Sequence, residues 1–195
     1  VLVVLSFIAS RSRVVWGGFT LEWYQTLFHN SDVLAALENT LTIGLGSAVI
    51  ATLIGLLASV GIDAMKKRSY SLTLGFGNIP MLNADIVTGI ALMLWFSRFT
   101  DLGYVSILLA HVTFNIPYVV LCILPKLQQM DISVYEAARD LGAGSVTAFV
   151  RVVLPNIFPA VISGFFMAMT MSMDDFVVTY FTKGAGINTL STMIY

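Results

Sequence analysis

The sequence predicts an all-α, polytopic transmembrane bundle, and three observations carry that prediction. Hydrophobic residues make up 57% of the 195-residue chain and charged residues only 11%, about half the charged share of a soluble domain. The mean hydropathy is +0.88. The charges are also gathered between long apolar stretches: Asn39–Ile62 and Leu102–Pro125 each run 24 residues without a charge, and Val152–Met173 runs 22. A helix rises about 1.5 Å per residue, so about 20 residues cross the hydrocarbon core. Ser69–Ser97 adds a fourth stretch of 29 residues, interrupted only by Asp85. Lipid offers the backbone no hydrogen-bond partner, so continuous spans of this length are helices, whereas barrel strands alternate and are about half as long.

The same arithmetic removes other classes. Too few polar side chains are present to coat an ordinary soluble enzyme, and too many apolar ones for a disordered chain. A net charge of −1 is no footprint for nucleic acid. The single cysteine, Cys122, permits no internal disulfide.

Taken in order, Val1–Ser10 is half a span before Arg11, without the basic start of a signal peptide. Thr189–Tyr195 turns apolar at the other end. Both read as cut helices, giving four complete and two partial spans in one permeation domain. Lys66, Lys67 and Arg68 follow the first complete span, and Lys126, Arg139 and Arg151 fall on the same side, against Arg11, Arg13, Arg98 and Lys183 opposite. The compact basic cluster places its side in the cytoplasm. Trp16, Trp23 and Tyr24 are expected at the outer interface. Ser47, Ala51, Gly55 and Ser59 recur every four residues, a ridge of small side chains that suits either a closely packed helix face or general membrane composition.

Residues 126–150 read KLQQMDISVYEAARDLGAGSVTAFV. Ser133 and Glu136 have capping-box spacing and predict a helix start near Val134. Val134, Ala137, Ala138 and Leu141 form its apolar stripe, and Gly142 suits the stop. Ser145 is expected to cap a second helix running through Phe149 toward Leu154 and Pro155. Physics alone gives a helix, a glycine turn and a second helix on the cytoplasmic face. Either a plain connector or a docking element fits.

Glu136-Ala137-Ala138, then Gly142 after three residues, then Leu154-Pro155 resembles the EAA loop of ABC-transporter permeases. GGFTLEWY near residue 17, ADIVTGIAL near 84 and SMDDFVVTYF near 172 extend the resemblance, in family order, to the permeases of spermidine/putrescine importers. The resemblance implies a type I importer (MetI-like) fold of about six spans in a bacterial inner membrane. It implies a second permease subunit, two copies of a cytoplasmic ATPase and an extracytoplasmic binding protein as partners. It assigns Glu136, Ala137, Ala138, Gly142, Leu154 and Pro155 to coupling with the ATPase. The sequence contains no G-x-x-x-x-G-K-[ST] phosphate loop, so ATP and Mg belong to that partner and the chain itself is non-catalytic.

An acid at membrane depth is a functional hypothesis, because its insertion costs roughly 2.5–3.5 kcal/mol. Asp85, beside a break expected at Pro80, and Asp174 with Asp175 are the candidates. Asn83 or Asp85 is expected to cap the restarted helix. A polyamine carries separated ammonium groups, which spaced carboxylates and aromatic faces suit. Trp95, Tyr118 and Tyr180 are the candidate aromatics. One aspartate of the pair is expected to face the pathway while the other pairs with a neighbour or reaches the interface. His111 and Asn115 share a helix face, where interhelical hydrogen bonding is the favoured role. His29 supports no metal site. An anion or metal complex as cargo is the alternative within the same class, and acids at depth favour a cation. Met167, Met169, Met171 and Met173 raise a copper channel, but alternate residues do not share one helix face.

Overall fold

The computed structural model describes residue 7 and residues 18–82, 85–99 and 101–194. Most of the amino-terminal half-span, Arg11, Arg13, Trp16 and the candidate cap Asn83 lie outside the described residues, among which every extended element is a helix. α1 (Glu22–His29) leads into α2 (Ser31–Asp63) through Asn30, whose side chain accepts the Asp32 and Val33 backbone N–H groups at 3.0 and 3.4 Å. This is the N-cap role expected of Asn. Further on come α3 (Lys67–Gly77), α4 (Ile79–Leu82), α5 (Asp85–Phe99), α6 (Tyr104–Gln128), α7 (Ile132–Asp140) and α8 (Ser145–Ala148). A π-helical turn, Phe149–Val153, joins α8 to α9 (Leu154–Asp174), and the short α10 (Val177–Thr182) and α11 (Leu190–Ile194) follow.

Three helical stretches, 31–63, 104–128 and 145–174, are long and apolar enough to cross a membrane. They pack on one another around Val119. A Cβ added to Gly55 would lie 2.6 Å from Val119 Cγ1, and one added to Gly164 would lie 3.3 Å from the same atom. Absent side chains on α2 and α9 therefore let both helices close on α6. Ser47, Ala51, Gly55 and Ser59 are all buried on that face, so the small-residue ridge packs inside this bundle. Ala48, Ile123, Leu127, Val153, Ile157 and Ala168 complete the core.

Within the stretch 69–97 the described residues leave the helix at Asn78, ahead of the break expected at Pro80. Proline disfavours helical backbone at the residue before it and removes a donor within it. Asp85 is the first described residue of α5. α5 packs on α10, where a Cβ on Gly89 would meet Phe181 at 3.0 Å, and Phe96, Ala110 and Val178 form a second small core.

The loop at 126–150 differs from expectation at its start. The cap of α7 is Asp131, whose Oδ1 accepts the Ser133 N–H at 2.9 Å, and Ser133 lies inside the helix. A carboxylate makes a charge-assisted bond and favours the positive helix end, so it outcompetes the hydroxyl two residues on. The stop is as expected. Gly142 has φ +88°. Its N–H donates to Arg139 O at 2.9 Å, and the Ala143 N–H donates to Ala138 O at 3.1 Å. This pair of bonds is a Schellman motif, and it accounts physically for the four-residue step from Ala138 to Gly142. The second helix runs straight into the third span. The π turn sits just ahead of Pro155, which has no N–H and would crowd a carbonyl one α-turn back. The ends of α2 and α6 adjoin this loop, since Asp63, Ala64, Met130, Ile132 and Ser145 line one groove and Gln128 Nε2 donates to the Tyr70 hydroxyl at 3.0 Å. The basic cluster at 66–68 and the loop thus share one end of the bundle.

Two outcomes are expected. Gly55→Leu lowers the thermal midpoint of the purified protein in detergent, at a cost of about 1–3 kcal/mol for overpacking, whereas Gly61→Ala, which meets open space, does not. Asp131→Ala accelerates amide hydrogen exchange across α7 and Ser133→Ala does not. The bond from the Ser133 N–H holds the Asp131 carboxyl below its usual range. The protection it gives is therefore present at neutral pH and is lost as pH falls through that lowered value.

Candidate functional site

A chain of buried polar groups runs through the three-helix contact at membrane depth. Ser47 is the middle residue of α2, about 24 Å from either end of that helix. Its Oγ lies 3.0 Å from Ser172 Oγ on α9. Ser172 meets Nδ1 of His111 on α6. The other ring nitrogen, Nε2, lies 2.9 Å from Thr179 Oγ1 on α10 and 3.6 Å from Asp175 Oδ2. Asn115, one turn along α6, reaches Ser47 with Nδ2 at 3.5 Å, and its Oδ1 has no partner among the described residues. Ser47, His111, Asn115, Ser172 and Thr179 are all 5% exposed or less. The shared face of His111 and Asn115 therefore does bond between helices, as polar residues in membranes do.

The chain breaks where this network ends. α9 stops at Asp174, and Asp175 has extended backbone, φ −67° and ψ 117°. The Asp175 carboxylate accepts the Val178 N–H at 3.3 Å and the Thr179 N–H at 2.8 Å, and it bonds the Thr179 hydroxyl at 3.1 Å. Its carbonyl accepts the Ser191 hydroxyl at 2.8 Å. The Asp175 carboxylate thus caps the first turn of α10. Asp174 is exposed, with no partner among the described residues.

The other predicted residues form two groups. Trp95 packs at 5.4 Å from Phe99 and lines a cavity of about 410 Å³ with Thr88, Thr113 and Phe114. Tyr118 stands edge-on to Phe114 at 5.2 Å, and Asp85, exposed at the start of α5, is within electrostatic range of its hydroxyl. Phe114 went unremarked in the sequence because an apolar aromatic among apolar residues carries no signal. Tyr180 belongs to the second group, beside Phe176 and Phe181, and Lys183 Nζ already lies 5.8 Å from its ring centroid. The four methionines diverge: Met169 packs against the core, Met173 faces Gly44 and Met167 is exposed.

In the 126–150 loop, Glu136 and Ala137 are exposed and Ala138 is half-buried. Leu141 is 89% exposed and Val146 is 76% exposed, so the loop presents apolar side chains that the chain itself leaves uncovered. Arg139 ties its two helices together, donating from Nη1 to Ser145 Oγ at 2.8 Å and to Ala143 O at 3.3 Å. Pro155 is exposed and Leu154 half-buried at the join with α9.

Comparison with known proteins agrees with this architecture. The family described as "Binding-protein-dependent transport system inner membrane component" matches residues 51–195. The Escherichia coli (strain K12) spermidine/putrescine transport system permease protein PotC is 38% identical over 196 residues, covering all of this chain and 74% of that protein. The Haemophilus influenzae PotC is 37% identical, with 76% of it covered. The Escherichia coli (strain K12) putrescine transport system permease protein PotI is 35% identical, with 72% covered. Among solved structures, a bacterial alginate ABC transporter superposes with a TM-score of 0.69 at 15% identity, over 91% of this chain and 71% of that one. An amino acid ABC transporter superposes with a TM-score of 0.60 at 21% identity, over 87% and 77%. Both show the fold alone, an all-α helical bundle. The three membrane-length helices, the helical loop between the last two of them and the match over residues 51–195 agree: the chain belongs to the binding-protein-dependent transport system inner membrane component family.

Proposed function

We propose that the chain is the permease subunit of an ATP-driven importer that carries polyamines, spermidine or putrescine, across the bacterial cytoplasmic membrane. The observation that carries this reading is the 38% identity, over the whole chain, to a spermidine/putrescine permease. The acidic character of the charges at membrane depth supports it. A polyamine presents ammonium groups a few carbons apart, and an unpaired carboxylate on a protein-lined face attracts one of them. Asp174 is the primary pathway acid. Asp85 with Trp95 and Tyr118 forms a second cation-attracting group, in which Phe114 adds a ring face. Tyr180 contributes an aromatic face. Asp175 acts through the backbone it caps.

The remaining parts of the assembly follow from the class. A second permease subunit completes the pathway, and an extracytoplasmic binding protein delivers the solute. Two ATPase copies bind and hydrolyse ATP with Mg, and this chain takes no part in that chemistry. Residues 126–150 are the coupling loop. Glu136, Ala137 and the exposed Leu141 face the ATPase, Ala138 and Gly142 form the helix stop, and Leu154 and Pro155 join the loop to α9. Closure of the ATPase pair shifts the loop and switches the bundle between inward-open and outward-open states.

Two measurements check the proposal. In the reconstituted complex, Asp174→Asn lowers polyamine uptake on the order of tenfold, the loss of one charged hydrogen bond, with normal membrane expression. Asp85→Asn gives a smaller fall. Unchanged uptake in both variants removes the carboxylates from the pathway. Gly142→Val forces a β-branched residue to φ +88°, which costs at least about 1–2 kcal/mol. It is expected to abolish binding-protein-stimulated ATP hydrolysis together with uptake. Normal stimulation in a well-expressed variant overturns the coupling role.

A further inference from the structure

The geometry points to His111 as a positioning residue that holds the helix break at 175–176 and so leaves Asp174, rather than Asp175, open to a cationic substrate. The inference rests on Asp174 being the pathway acid, as proposed above. His111 stands on α6, yet both its ring nitrogens are spent on the two helices that flank the break. Nδ1 bonds Ser172, two residues before Asp174, and Nε2 bonds Thr179 at 2.9 Å, four residues after Asp175. Asp175 Oδ2 is 3.6 Å from the same nitrogen and accepts the Thr179 N–H at 2.8 Å. The imidazole therefore fixes the distance between the end of α9 and the first turn of α10.

Two adjacent aspartates on a continuous helix would point about 100° apart and compete for one cation. The break removes that competition. Asp175 turns into extended backbone, and its carboxylate accepts the Val178 and Thr179 N–H groups. Asp174, the last helical residue, remains exposed and unpaired among the described residues. An imidazole suits this role because its two nitrogens face nearly opposite directions, which lets one buried side chain bridge two elements. A glutamine reaches both partners only from one end.

The test uses the complete reconstituted importer and reads polyamine taken up per ATP hydrolysed. A purely structural defect reduces uptake and hydrolysis together, whereas a misplaced pathway acid lowers the ratio. His111→Ala is expected to lower uptake about tenfold while binding-protein-stimulated hydrolysis stays within about twofold. His111→Gln is expected to recover part of the ratio. The double variant His111→Ala with Asp174→Asn is expected to be no worse than Asp174→Asn alone, because both changes remove one interaction. Should His111→Ala fail to assemble, Ser172→Ala and Thr179→Val each remove one bond and lower the ratio two- to fivefold. A normal ratio in His111→Ala beside an impaired Asp174→Asn overturns the positioning role and leaves the pathway reading intact. Proportional loss of uptake and hydrolysis, or multiplicative effects in the double variant, also overturns it. Normal uptake in Asp174→Asn overturns both.

Discussion

The structure depends on a constraint specific to lipid: a polar side chain at membrane depth has to find its partner within the protein. Between helices in a bilayer there is little hydrophobic drive, because lipid tails are as apolar as leucine. Association comes from close packing and from polar contacts that lack an aqueous alternative. Here the contacts converge on His111, which joins α6 to both α9 and α10, while Ser47 brings α2 to the same point. Four helices from three separated parts of the sequence thus share one hydrogen-bonded line. Ser106 Oγ to Thr182 O at 2.9 Å and Leu190 N to Thr40 Oγ1 at 2.9 Å extend it along the outer half.

Close packing and polar contact depend on each other. Ser47 approaches Ser172 to within 3.0 Å because the same face of α2 carries Ala51 and Gly55 one and two turns away. Val119 on α6 fills the space that Gly55 and Gly164 leave. Larger side chains at those glycines would separate the helix axes by the ångström or two that distinguishes a hydrogen bond from a gap. The small-residue ridge and the buried hydroxyls are therefore one device, with the glycines setting distance and the serines using it.

Much of this was legible in the sequence, and the pattern of what was not has a physical cause. Three apolar stretches produced the three long helices because length and charge exclusion are properties of local sequence. Gly142 was readable for the same reason, since a helix stop needing positive φ is a local demand. The start of α7 was misplaced by two residues because Asp131 and Ser133 are both good caps, and their competition is settled by charge. The 69–97 stretch turns at Asn78, ahead of the proline that marks the break in the sequence, and α5 packs on α10. The partners of His111 lie 61 and 68 residues away, so no spacing rule reaches them. Asp174 and Asp175 look equivalent in sequence. Only the fold decides that one is a cap and the other is open.

That division of labour links the pathway to the loop at the opposite end of the bundle. Residues 145–174 form one helical rod of 30 residues, about 45 Å long, with Asp174 at its outer end and the loop at its inner end. A helix is stiff along its axis, so displacement of α8 reaches α9 with little loss. The π turn at Phe149–Val153 is the one point in the rod where the hydrogen-bond ladder is already widened, and such turns accommodate local rotation. Arg139 binds α7 to the rod through Ser145, so force applied to the exposed face of α7 does not dissipate in the glycine turn. At the far end His111 and the Asp175 cap restrain the rod's tip. Movement of the loop is then felt at the break as strain on a small set of hydrogen bonds, next to the one carboxylate of the pair that those bonds leave open. On the proposed mechanism, ATP-driven motion and the affinity of the pathway for a cation are coupled through that single element.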